Sequence, residues 1–166
     1  MTLTFAAALA SVLSFVGFGL IAAWHVVPWL RTQQRAEALT ALIWVQAFRY
    51  IALQIFSAQK FGLAVSDGVR DEIATGDLIG ALLAITAIVT LRHKARISIV
   101  LVWALVVATF ADLANSAAAG VHERLFETAS GVTWMILTFY VPVLWISLLL
   151  IVWQLLRRTN EPLQPA

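Results

Sequence analysis

The stretch from Ala38 to Gln59 is long and apolar enough to cross a bilayer, yet Arg49 stands near its middle. A guanidinium at mid-membrane costs roughly 2.5–3.5 kcal/mol even on the mildest insertion scales. A chain that keeps one there must fold so that other helices hide it from lipid and give it partners. Gln46, Arg49, Tyr50, Gln54 and Ser57 recur at steps of three and four, which places them on one face of a regular helix. That face is expected to look inward.

Composition narrows the solvent. Charged residues make up 12% of the 166 and hydrophobic ones 61%, with a mean hydropathy of +0.89. A soluble domain carries about 25% charged residues, so a water-facing surface could not be covered here. The reading is an integral membrane bundle in a plasma or inner membrane, with no separate soluble domain. The net charge of +2 does not imply a nucleic-acid partner, because the basic residues sit in short loops between apolar runs. The absence of cysteine removes disulfides, thiolate metal sites and cysteine nucleophiles together.

The expected fold class is all-α, with five transmembrane helices over about residues 3–24, 38–59, 73–91, 97–118 and 132–156, then a polar tail at 159–166. The first run lacks the basic start of a signal peptide and exceeds its usual apolar length, so it reads as a retained helix. His25, Pro28 and Trp29 are expected to end it. Ala10, Ser14 and Gly17 form a small-residue stripe suited to close helix contact. The longest connection, 60–77, carries a turn signal at Ser66-Asp67-Gly68. Leu78–Leu91 is only fourteen residues long, whereas a span needs about 20. The third helix is therefore expected to begin near Ile73 and to draw Gly76 and Asp77 toward the membrane. Gly76, Gly80, Ala84 and Ala87 then make a face on which a neighbour can approach the backbone. Pro142 predicts a kink in the last helix.

The basic residues suggest an orientation. Seven of the eleven Lys and Arg fall in one set of alternate connections: Arg31, Arg35, Arg92, Lys94, Arg96, Arg157 and Arg158. The other set holds Lys60, Arg70 and Arg124 against six acids. The positive-inside rule puts the first set in the cytoplasm, with the amino terminus outside and the carboxyl terminus inside.

Counting along the spans gives depth. Arg49 lies at its helix centre, Asp112 about 7 Å outward of its own, and Asp77 about 8 Å outward. An arginine can bridge such differences by extending along its stem. Arg49 is thus expected to pair with Asp112, Asp77 or both, while Gln54, Tyr50 and Asn115 complete its hydrogen bonds. The candidate ion- or ligand-binding residues are Gln46, Arg49, Tyr50, Gln54, Asp77, Asp112 and Asn115. No catalytic residue, metal site or cofactor is expected. The acids of 60–77 lack the order of a calcium loop, and His122 with Glu123 and Glu127 lacks zinc-site spacing. No nucleophile pairs with either aspartate to suggest an enzyme. Two functions remain: binding or conducting a small ion, proton or anionic ligand, or serving as a non-catalytic membrane subunit whose polar pairs only join helices. The expected partners are the lipid bilayer and either further copies of the chain or another membrane protein.

Overall fold

The computed structural model describes residues 2–159 and Glu161, so the predicted tail lies outside the described residues except at Thr159 and Glu161. Among the described residues the fold is all-α, with six helices. Five of them are long and apolar enough to cross a membrane: α1 (Leu3–Thr32), α2 (Arg35–Lys60), α3 (Asp67–Arg92), α4 (Ser98–His122) and α6 (Gly131–Arg157). The short α5 (Leu125–Thr128) bridges α4 and α6. The long helices run up and down. One end of the bundle gathers the acids of α3 and the 123–127 segment, and the other gathers the basic loops.

Local chemistry explains where these helices begin. The Thr2 hydroxyl accepts from the amide of Phe5 and starts α1. Asp67 stands in the first turn of α3 and Glu37 in that of α2, where the helix dipole favours negative charge. This corrects the expected start of α3 near Ile73. The acidic segment from Asp67 is already helical, and the turn expected at Gly68 is its first winding.

The two intrahelical prolines are handled alike. A proline inside a helix clashes with the carbonyl four residues back. In α1 a π-helical segment at Ala22–Val26 immediately precedes Pro28, and the Val27 amide donates to Ala22 five residues back. In α6 a π-helical segment at Ile136–Tyr140 precedes Pro142, with the Val141 amide donating to Ile136. The wider turn gives the ring room. Consequently α1 runs on to Thr32 and does not end at Pro28.

The core lies among α2, α3, α4 and α6, where Leu39, Ile43, Ala84, Leu105, Leu148 and Ile151 are buried. Large apolar side chains such as Val12, Val16, Val100, Val107 and Leu149 cover the outside. Water would not tolerate that surface, whereas hydrocarbon would. The inside-out pattern is completed by polar residues in the interior, among them Gln46, Arg49, Thr109, Ser147 and Gln154. The periphery belongs to α1, which meets α6 through an edge-on contact of Phe18 and Phe139 with centroids 4.7 Å apart. Its small-residue stripe does not make the close contact expected of it. Gly17 faces open space, and Ser14 and Gly17 line a shallow groove.

Candidate functional site

Around Arg49 the winding of α2 changes. Residues Phe48–Gln54 form a 3₁₀ segment, which has three residues per turn and eclipses side chains three apart. Gln46, Arg49, Ala52 and Ile55 are accordingly all buried. This alters the face expected from regular helical steps. Tyr50 turns outward, is half exposed and stacks near Phe48. It does not join the hydrogen bonds of Arg49, and Ser57 is exposed as well.

The Arg49 side chain is fully buried and spends each of its three nitrogens on a protein acceptor. Nε donates to Oδ1 of Asp77 on α3 at 2.7 Å, Nη1 to the Thr109 hydroxyl on α4 at 3.0 Å, and Nη2 to the Asp112 carboxylate on α4. The two carboxylates are nearly buried, with side chains 14% and 15% exposed. One guanidinium thus ties three helices together through two ion pairs. With both carboxyls ionised, the triad keeps one negative charge in excess.

The small face of α3 makes this possible. A Cβ on Gly80 would come within 2.9 Å of Nη1 of Arg49 and 3.1 Å of its Cζ, and one on Gly76 would fall onto the Asp112 carboxylate. The two glycines, one turn apart, are a cradle for charged side chains as well as a helix contact.

Two openings flank the triad. An internal cavity of about 80 Å³ reaches Arg49, Asp77 and Asp112 and also touches Gln54, Thr133 and Tyr140. That space is large enough to hold water. On the other side, an open groove of about 640 Å³ runs between α3 and α4 toward the acidic end, past Asp71, Glu72, Gly76, Asp112 and Asn115. Asp112 lines both.

The remaining candidates lie near the triad but bond elsewhere. The Gln46 amide donates to the Leu144 carbonyl and the Ser147 hydroxyl on α6 at 3.1 and 2.6 Å. The Gln54 amide donates to the Thr133 hydroxyl at 3.0 Å. Asn115 donates to Glu72 at 2.8 Å in the groove. The expectation that Gln54, Tyr50 and Asn115 complete Arg49's hydrogen bonds is therefore corrected: Thr109 does so. Its signal was present in the sequence, because Thr109 stands three residues before Asp112 and shares its helix face.

A model of the family described as a domain of unknown function (DUF8737) matches residues 6–156, nearly the whole chain and the whole of the triad. The chain belongs to this family. No curated protein and no solved structure matches it.

A second polar cluster closes the basic end of this family member. Arg158 donates to the carbonyls of Leu30 and Gln33, to Oε1 of Gln154 at 3.2 Å, and to the Glu161 carboxylate. Arg35 returns the contact, donating to the Leu155 and Glu161 carbonyls. Arg158 thus closes the end of α1, and Arg35 closes the end of α6. The Arg158 hydrogen bond holds the Glu161 carboxyl below its ordinary range.

Proposed function

We propose that the protein is a multi-pass membrane protein whose Asp77–Arg49–Asp112 triad binds and passes a proton or small monovalent cation. The observation that carries this reading is the position of Asp112, which is paired to a buried arginine and lines both an internal cavity and an outward groove. The negative excess favours a cation. An anionic ligand would meet two carboxylates and an arginine whose nitrogens are already engaged. The groove adds Asp71 and Glu72, acids that raise the local cation concentration at its mouth. By the positive-inside rule the acidic end faces outward, and the membrane is a plasma or inner membrane. Five helices enclose little space, so the working form is a homo-oligomer or a complex with another membrane protein.

A specific observation favours a second reading, a structural clamp. The nitrogens of Arg49 are matched by protein groups, and the glycine cradle fits them closely.

Flux in reconstituted liposomes separates the two. The wild type is expected to dissipate an imposed proton or sodium gradient, and Asp112→Asn, which keeps the shape and removes the charge, is expected not to. Equal rates in both, or a silent wild type, would leave the clamp. Orientation is checked in the cysteine-free background with an impermeant thiol reagent applied from outside. Ser130→Cys should react and His93→Cys should not, and the reverse pattern would reject the assignment.

A further inference from the structure

The triad reading accounts for an outer arm and leaves the inner half of the bundle without a route. The interface of α2 with α6 supplies one. On α6, Thr133, Tyr140, Ser147 and Gln154 follow one another at intervals of seven, which keeps them on one side of a helix. Three of the four bond residues of α2, and the fourth stands at the basic end. Thr133 bonds Gln54, Tyr140 donates to the Val45 carbonyl at 2.8 Å, Ser147 accepts from Gln46, and Gln154 sits beside the Arg35–Arg158 cluster. A polar seam therefore crosses most of the thickness of the bundle.

Buried polar atoms on that seam are left over. Among the described residues, four buried side-chain atoms have no protein partner, and three of them belong to Gln46, Gln154 and Arg35. Gln46 and Gln154 are fully buried, and Arg35 is 8% exposed. The amide orientations are fixed by their other contacts. Gln46 must turn its nitrogen to the Leu144 carbonyl and Ser147, which leaves Oε1, an acceptor. Gln154 must turn its oxygen to Arg158, which leaves Nε2, a donor, and the spare atom of Arg35 is Nε, also a donor. An unmatched acceptor near mid-bundle and unmatched donors near the basic end are the two ends that a directed chain of waters requires. A buried amide left unmatched is destabilising, and water is the usual remedy.

We infer that the α2/α6 seam holds waters at these two ends and, when its apolar middle opens, joins them as the inner arm of the cation path, carrying protons between the triad cavity and the basic end. The inference rests on the triad reading and names its exit. Gln46 begins the arm at the cavity wall, because its amide bonds the carbonyl of Leu144, a lining residue. The chain from there to Gln154 covers seven residues of α6 beyond Ser147, about 10 Å, or three to four waters in file. The amides hold the end waters and do not themselves carry the proton, which moves from one water oxygen to the next. Leu39, Ile43 and Ile151 are fully buried between the two ends and close the arm as a dry plug. The structure is thus the occluded form, and the plug is the gate.

Two measurements on the full chain in liposomes test this. Solid-state NMR reads magnetisation transfer from water to the side-chain amides of Gln46 and Gln154 in the wild type. Transfer as fast as at the membrane interface is expected, and its absence overturns the wet seam whatever the flux. Proton flux is then measured for Gln46→Leu and Gln154→Leu, expected to fall to the level of protein-free liposomes, and for Ile151→Ala, expected to rise because the plug shrinks. Wild-type rates in these three variants, with Asp112→Asn silent, overturn the inner arm and leave the triad reading standing. A silent wild type overturns both as a transport path. Water transfer without flux assigns the seam's waters to structure alone, which contradicts the inference.

Discussion

Two arginines of one helix, one at its start and one near its middle, are buried by different means. Arg35 opens α2 at the basic end, and its charge meets the Leu155 carbonyl at the end of α6 and the Glu161 carbonyl beyond it. Arg49, fourteen residues on, meets two carboxylates and a hydroxyl and is wholly enclosed. The difference follows from depth. At a helix terminus the final carbonyls are unsatisfied and the dipole is negative, so they can answer a cation directly. At mid-bundle most carbonyls are engaged in their own helices, and Arg49 is answered by side chains alone. The membrane interior thus forces Arg49 to recruit acids from two other helices. Those acids exceed it in number, and the proposed function rests on that surplus.

The comparison predicts an order of effects on stability, measured by thermal melting in detergent. Arg49→Met should be the most damaging, by about 3–5 kcal/mol, because it strands two buried carboxylates. Gly80→Ala comes next. An exposed helical glycine changed to alanine gains about 1 kcal/mol, but here the new methyl meets the Arg49 guanidinium, and a loss of about 1–3 kcal/mol is expected from overpacking. A stabilised Gly80→Ala protein would mean that the cradle is not tight. Arg35→Met should cost about 1 kcal/mol, the worth of ordinary hydrogen bonds. A loss equal to that of Arg49→Met would erase the distinction between the start of the helix and its middle.

Much of this contrast was legible before any coordinates. The central arginine, the two aspartates at matching depth and the small face of α3 all follow from counting along apolar runs, since depth in a membrane is set by 1.5 Å per residue. What counting missed was winding. Nothing in Phe48-Arg-Tyr-Ile-Ala-Leu-Gln54 announces a 3₁₀ segment, because such tightening answers the pull of partners on other helices. Tyr50 was misplaced for that reason. The early start of α3 was misread because Asp67 and Gly68 carry turn chemistry that also suits the first turn of a helix. In the sequence Arg158 is only one more basic residue of its connection, since its partners, Leu30 and Gln33, lie more than a hundred residues away. The fit of π-helical turns to Pro28 and Pro142 was a missed regularity: each proline sits two residues beyond a widened turn.

The central claim is that the triad's charges are there to handle a cation and not merely to join helices. Its most direct test replaces all three at once, as Arg49→Met with Asp77→Leu and Asp112→Leu. Exchanging a buried ionic cluster for apolar groups of similar size is often neutral or stabilising, so this variant should recover the stability that Arg49→Met loses. The measurement is proton and sodium flux by the folded triple variant and the wild type in liposomes. A stable triple variant with no flux, beside an active wild type, is the predicted result. A triple variant that conducts as the wild type does would contradict the claim.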